Sequence, residues 1–545
     1  MSTNVSHLSK RMGIKAGLYH RQIDVKADER TELAREALVG TAVVEGSRTF
    51  YDFMIGEESN KRAYVCNGTA CLCHGQQDTV RETLENVLGP DEVGTMTCLG
   101  HCHTGGGFLL DEQTYNISHL SQITNLVNQK PDPSLITVGR SLNEPVLLKP
   151  CGDLASWYQP ALDAVKNNDL DALLEQMLAA SVRGRGGAGF PAGIKWQACK
   201  DQPGDEKYIV CNADEGDPGA FSDRYLLEHH PHSVIFGMLL AGLICGAKEG
   251  VLYLRVEYPE AIKVCEDAIA ELKDMGVLFA PLNEDGARFD LHLMIGSGAY
   301  ICGEETALLR SIEGQRPVVS VRPPFPVESG LFGAPTVVNN VETFACAHWI
   351  IANGGAEFAA LGTDQSAGVK LLSLDHTFNN PGLVEVPMGI SLTTVINELG
   401  GGFRIPVKAL HIGGPLGGVV PKEKFADLTI SFESFADNGF LLGHGSLLGI
   451  PETTSLVEYI RHLFEFTAHE SCGKCFPCRL GATRGKEMFA RAEEGSSIDE
   501  ELLNDLLETM ELGSLCALGG GVPLPIKNIL TYFHNEIFPA AGGSA

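Results

Sequence analysis

The chain has 545 residues, 44% of them hydrophobic and 20% charged, a balance that fits a folded protein of several domains and exceeds what one core can hold. Its 69 acidic against 41 basic side chains leave a formal charge of −28, which argues against a nucleic-acid or anionic-membrane surface. The longest apolar run, Val234 to Ala247, is too short to span a bilayer, and Met1–Arg30 lacks the apolar stretch of an export signal. With 16 cysteines and no export signal a disulfide framework is not expected, metal or cluster ligation explains the clustered ones better, and a cytoplasmic location is expected.

Residues 1–45 form a polar segment with one expected helix, Asp28–Leu38. In residues 46–130 a short strand, Tyr64-Val65, leads into Cys66. A helix over Thr79–Leu88 carries apolar positions at Val80, Leu84 and Leu88, and a strand over Gly107–Leu110 and a helix over Leu120–Val127 close the unit. Cys66, Cys71, Cys98 and Cys102, spaced C-x4-C and C-x3-C on loops beside these elements, suit thiolate ligation of a two-iron cluster; a four-cysteine zinc site uses the same residues. Cys73, His74, His101 and His103 crowd the same loops and are read as bystanders, with Cys73 the competitor to Cys71.

Residues 131–148 read as a proline-containing linker that sets this unit apart from the rest of the chain. In residues 149–360 a helix over Ala161–Ala180 delivers the chain into Arg183–Trp196, RGRGGAGFPAGIKW, with five glycines. Glycines let the backbone approach a ligand closely, exposed N–H groups in such a loop bind anions, and Lys195 follows within reach of a phosphate. Tyr208–Cys211, Val251–Val256 and Phe289–Ile295 read as buried strands of an α/β sheet. Asn212, Asp214 and Glu215 end the first, where open α/β sheets bind ligands. Cys302 reads as a packed small side chain. Residues 368–450 alternate short strands (Lys370–Leu374, Leu383–Val386, Ala409–Ile412) with a helix over Ser391–Leu399, and Gly413–Gly418 reads as a turn. Residues 451–545 are helical over Thr454–Thr467, Ile498–Leu512 and Val522–Phe538. Cys472, Cys475 and Cys478 in C-x2-C-x2-C spacing, with a remote Cys516, point to a [4Fe–4S] cluster; a zinc knuckle presents two pairs instead. Lys474 and Arg479 add positive charge beside it.

Five motifs in order, RGRGGAGFPAGIKW, NADEGDPGAFSDR (212–224), AYICGEETALL (299–309), VNNVET (338–343) and ESCGKCFPC (470–478), resemble one family over about residues 145–540. That family is the flavin-bearing, NAD(H)-oxidising subunit of respiratory complex I, with relatives in soluble NAD-linked hydrogenases and formate dehydrogenases. The resemblance implies an α/β multidomain fold: a thioredoxin-like [2Fe–2S] domain, an FMN/NAD(H)-binding domain, a small ubiquitin-like (SLBB-type) β-grasp domain and a helical [4Fe–4S] domain. It places FMN on Gly184, Arg185, Gly187, Lys195, Asn212, Asp214, Gly303, Glu304, Asn339, Asn340 and Thr343. It places NAD(H) against Phe190, Phe325, Glu215 and Glu305. Two departures stand out: Ala198 replaces a family aromatic and leaves one side of the adenine stack open, and Asp217 replaces a common Glu.

The implied reaction is hydride exchange between NAD(H) and FMN, then single-electron transfer to iron–sulfur clusters, with no catalytic residue beyond the cofactors. The terminal chemistry then belongs to another redox subunit with a Mo/W or Ni–Fe site, with a further small [2Fe–2S] subunit as a candidate companion. The fused two-iron domain favours a soluble assembly, a formate dehydrogenase first and a hydrogenase second, ahead of complex I. A non-enzymatic iron–sulfur relay is the reading of a different class.

Overall fold

A computed structural model describes residues 21, 25–128 and 139–539. Two short helices, Arg30–Glu36 and Thr41–Arg48, pack through Leu33, Ala34, Ala37 and Val44. The first is shorter than the expected Asp28–Leu38, and Leu38 just beyond it lies in the left-handed region at φ 55°. Strands β1 (Ala63–Cys66), β2 (Val93–Met96), β3 (Phe108–Leu110) and β4 (Gln113–Tyr115) form a sheet in the order β2-β1-β3-β4. β1 and β2 run parallel, joined across the helix Gln77–Leu88, and β3 and β4 are antiparallel. Val80 and Leu84 of that helix meet Val65, Phe108 and Leu110 in a small core.

The expected linker is only partly one. Residues 129–138 lie outside the described residues, but β5 (Gly139–Ser141) pairs in parallel with a strand of a distant sheet. The next turn is tied down as well: Val146, Leu147 and Leu148 donate their backbone N–H groups to the buried Glu385 carboxylate at 2.7, 3.1 and 2.9 Å. Isolated polar anchoring of this kind leaves no periodicity in sequence. The expected single helix over Ala161–Ala180 is two, Leu154–Asn167 and Leu170–Ala179, divided at Asn168, which adopts a left-handed conformation that Asn tolerates.

Strands β6 (Tyr208–Ala213), β7 (Glu249–Arg255), β8 (Asp290–Gly296) and β9 (Thr336–Asn340) form an all-parallel sheet in the order β8-β7-β6-β9. Both faces are covered, which is why these strands read as near-continuous apolar runs. The run Val234–Ala247 is mostly the buried helix Pro231–Cys245, which opens on proline and ends at Gly246 with φ 75°. It packs so closely on the helix Val341–Asn353 that a Cβ at Gly237 would collide with the Phe344 carbonyl. β9 and that second helix were not read from sequence.

A six-stranded sheet follows from β10 (Val369–Leu374), β11 (Gly382–Pro387), β12 (Val407–Ile412), β13 (Gly418–Pro421) and β14 (Ser446–Pro451), in the order β13-β12-β14-β10-β11-β5. Gly413–Gly418 is the turn joining the antiparallel β12 and β13. The expected helix over Ser391–Leu399 is a short helix, Leu392–Thr394, that widens into a π-turn over Val395–Leu399. The C-terminal unit packs Leu456–Glu470, Phe476–Glu493, Glu500–Gly513 and Pro523–Tyr532. The 18-residue helix Phe476–Glu493 had no sequence signal because its buried face is mostly small: Cys478, Gly481, Ala482 and Gly485. A Cβ at Gly485 would strike the Phe464 ring. Among the described residues no helix is long and apolar enough to cross a membrane.

Candidate functional site

The parallel register sets Cys211 beside Asn339 and Asn212 beside Asn340 at the ends of β6 and β9. The glycine-rich loop folds over these ends. It closes on itself where Gly184 N donates to Phe190 O at 2.9 Å and Arg183 Nε to Gly189 O at 2.8 Å. Arg183 is anchored outward by an ion pair with Glu433 and by the Phe432 ring, 4.3 Å from its guanidinium carbon. Gly187 has φ 110°, a conformation that L side chains rarely adopt, and a Cβ at Gly186 would stand 2.9 Å from Asn340 Cβ.

Arg185 is 1% exposed. Its N–H donates to Thr343 Oγ1 at 2.9 Å and its Nη2 to Ala367 O at 2.6 Å, while Nε and Nη1 have no partner. Asn212 donates to Gly303 O at 2.8 Å, and a Cβ at Gly303 would meet Asp214 O at 3.2 Å. Asp214 Oδ2 and Asn339 Oδ1 are likewise buried and unpartnered, and burial holds the Asp214 carboxyl well above the usual carboxylate range. Asn340 caps the helix Val341–Asn353 through Glu342 N and donates to Asp223 at 2.6 Å. Unpaired buried donors and acceptors such as these are costly unless a polar ligand completes them.

Lys195 donates to Val338 O at 2.9 Å, and burial lowers the pKa of its ammonium while nearby Glu305 opposes the shift. Glu305 pairs with Arg322 at 2.6 Å. The Phe190 ring, 6.0 Å from Lys195 Nζ, is 52% exposed, and Phe325 is 50% exposed. Two phenylalanine rings left half in water are available to stack on a planar group. Glu304 caps the helix Glu305–Ile312, one carboxylate oxygen accepting from Thr306 N and Ala307 N at 3.0 Å each.

Glu215 is held by the protein through both carboxylate oxygens. Its buried carboxylate accepts from Ser222 Oγ, Asp223 N, Arg224 N and Tyr258 OH at 3.0–3.2 Å. Tyr258 OH shares its proton with Glu215 O at 3.1 Å, and both carboxylate oxygens on which the expected contact to NAD(H) rests are already held by the protein. Glu215 instead holds the start of the helix Ser222–His229.

The Cys66 thiol is in hydrogen-bonding contact with Cys71 and Cys98, and Cys98 Sγ lies 3.4 Å from Cys102 Sγ. Cys73, two residues along the same short helix and so on a different side of it, neighbours Asp375, Glu458 and Tyr459. Cys472, Cys475, Cys478 and Cys516 also converge, with Ile301, Phe466 and Leu518 around them. Burial pushes the Cys478 and Cys516 thiols up to about 11 and about 12, so as thiolates they need a cation. Among the described residues no three His, Cys, Asp or Glu side chains are arranged to hold a single metal ion.

The N-terminal sulfur loop does not stand apart across a linker, as the sequence suggested. Arg224 Nη1 donates to Leu99 O at 2.6 Å and Arg255 Nη2 to Thr97 O at 2.9 Å, so two buried arginines of the α/β unit grip the carbonyls on either side of Cys98. Tyr300 N donates to Glu470 at 2.8 Å, fastening the Gly303 turn to the segment that leads into the C-terminal sulfur set. Arg224, Arg255 and Arg322 escaped sequence reading; only the position of Arg224 at the end of the NADEGDPGAFSDR stretch hinted at one of them.

The family described as the Nuo51 FMN-binding domain matches residues 177–349, and the NADH-ubiquinone oxidoreductase-F iron-sulfur binding region matches residues 458–539. The NADP-reducing hydrogenase subunit HndC of Solidesulfovibrio fructosivorans is 44% identical over 66% of this chain and 73% of its own length. The NAD-reducing hydrogenase HoxS subunit alpha of Cupriavidus necator is 34% identical over 90% of this chain and 85% of its own length. A chain of the NAD+-reducing [NiFe]-hydrogenase crystallised in the H2-reduced state superposes with a TM-score of 0.85, 29% identity, and coverage of 96% of this chain and 92% of that one.

Proposed function

The chain belongs to the family of FMN-binding, iron–sulfur NADH-oxidising subunits found in NADH-ubiquinone oxidoreductase and NAD(P)-reducing hydrogenases, and from that premise we propose that it is the diaphorase subunit of an NAD(P)-linked hydrogenase. The observation that supports this reading most is that buried, unpartnered polar atoms of Arg185, Asp214 and Asn339 lie in the segments that end β6 and β9 and in the glycine-rich loop tied to them through Thr343. The hydrogenase relatives put this reading ahead of the formate dehydrogenase expected from sequence.

The residues fit FMN: the open nitrogens of Arg185, the unpaired oxygens of Asp214 and Asn339, and the bare backbone at Gly184, Gly187 and Gly303 form a cradle of donors and acceptors. Bound FMN supplies exchange between a two-electron hydride and single electrons, and iron–sulfur clusters supply one-electron storage. Lys195, Asn212, Asn340 and Thr343 would orient the flavin's polar groups, with Glu304 capping the adjoining helix. Phe190 and Phe325 offer rings to the adenine of NAD(P)H, beside the Glu305–Arg322 pair. We assign a [4Fe–4S] cluster to Cys472, Cys475, Cys478 and Cys516, and a [2Fe–2S] cluster to Cys66, Cys71, Cys98 and Cys102 in a thioredoxin-like N-terminal domain. Phe476, Leu480, Leu512 and Leu515, exposed by 67%, 50%, 77% and 39% near the C-terminal set, form the face for a partner redox subunit.

The test is anaerobic purification of the native complex. It is expected to contain FMN and iron, to oxidise NAD(P)H with an artificial acceptor, and to reduce NAD(P)+ with H2. Reduction by formate and not by H2 would reverse the choice of partner. A flavin-free protein without NAD(P)H oxidation would return it to an electron relay.

A further inference from the structure

Arg224 touches both the flavin-side segment and the N-terminal sulfur loop through different atoms. Its backbone N–H donates to Glu215 Oε2 at 3.1 Å, and its side chain is fully buried. Nε donates to Glu228 at 2.6 Å, and Nη2 to Thr114 Oγ1 at 2.8 Å and Glu260 at 3.2 Å. Nη1 reaches Leu99 O at 2.6 Å. The guanidinium carbon lies 5.3 Å from the Tyr258 ring centroid. With all three nitrogens engaged, its orientation is strongly constrained.

The peptide that Arg224 holds is the one that donates to a cysteine sulfur. Leu99 O and Gly100 N belong to one planar unit, and Gly100 N donates to Cys98 Sγ at 3.5 Å. Fixing the carbonyl therefore fixes the direction of the N–H. A charge-assisted bond at the oxygen also polarises the unit and strengthens its donor end. The loop is shaped for this approach: Gly100 has φ 70°, and a Cβ there would stand 2.9 Å from Arg224 Cδ.

We infer that Arg224 is a positioning residue that raises the reduction potential of the N-terminal iron–sulfur centre by holding the Leu99–Gly100 peptide with its N–H directed at Cys98. The inference rests on the [2Fe–2S] assignment above. An N–H···S bond stabilises the more negative, reduced state, and hydrogen bonds to sulfur are among the determinants of cluster potential. The positive charge itself is not the agent, because Glu228 and Glu260 more than offset it locally.

The test is a redox titration of the holoenzyme followed by electron paramagnetic resonance, with iron analysis, on the parent and two variants. Arg224→Gln with Glu228→Gln keeps the local charge balance and removes the grip on Leu99. Arg224→Lys keeps the charge and shortens the reach. The two-iron midpoint is expected to fall in the double variant by at least about tenfold in the one-electron equilibrium, about 59 mV. It should fall less in Arg224→Lys, while the four-iron midpoint and FMN content stay unchanged. An unmoved midpoint in a variant that retains its two irons overturns the inference. If the double variant loses the centre, Arg224→Lys decides by the same criterion. Loss in both makes Arg224 a folding residue and also overturns it. A parent without a two-iron signal would sink the cluster assignment and the inference with it, a result distinct from an unmoved midpoint.

Discussion

Lys370 on β10 and Glu342 in the helix after β9 form an ion pair sealed from solvent, 0% and 1% exposed. Glu342 also accepts from Leu371 N at 2.9 Å. The pair welds the stretch Asn339–Thr343 to the six-stranded sheet. Removing one partner of a buried pair leaves an uncompensated charge, at a cost of about 3–5 kcal/mol. Lys370→Met should therefore lower the temperature at which FMN is released, followed by its fluorescence, and Lys370→Met with Glu342→Gln should recover much of the loss. Equal losses in both variants would show that the packing of the lysine stem, and not the charge, matters.

Glu313 gives a pH dependence of opposite sign to the usual carboxylate. Burial raises its pKa to about 7 from the ordinary 4.5, partly countered by a hydrogen bond from Phe332 N at 2.7 Å. Between those values the folded state keeps the proton and the unfolded chain does not. Its contribution is therefore fully present below about pH 4.5 and is lost as pH rises to about 7. Glu313→Gln should flatten that part of the profile of thermal midpoint against pH. A profile unchanged by the substitution would remove Glu313 from the account.

Cys71 and Cys73 separate cleanly. Cys71→Ser should abolish the two-iron signal and reduce iron by about two per chain. Cys73→Ser, whose thiol neighbours Asp375 and Tyr459, should leave both intact. The reverse outcome would make Cys73 the ligand.

Both Glu215 carboxylate oxygens are held by protein donors, and its charge lies next to Asp214 at the end of β6. Glu215→Gln keeps the shape and should raise kcat/KM for NADPH relative to NADH by about tenfold, because a 2′-phosphate then meets less negative field. It should also lower stability, since charge-assisted hydrogen bonds become neutral ones. A loss of stability with an unaltered cofactor ratio would confine Glu215 to holding the helix Ser222–His229.

Much of the chain declares itself without a structure. The glycines of 184–193 and the C-x2-C-x2-C run are local signals, since the chemistry they support needs residues a few positions apart, and β6–β8 are legible because two-sided burial demands continuous apolar runs. What the sequence could not carry is long-range polar contact. Arg224 meets Leu99 across 125 positions, Arg255 meets Thr97 across 158, and Glu385 receives the three N–H groups of Val146–Leu148 from 237–239 away. A buried charge has no periodicity, and its partner is chosen only when the chain brings two distant segments together. Glu215 shows the consequence. Its motif places it beside a ligand, while four donors that assemble only in the folded chain turn it towards the protein.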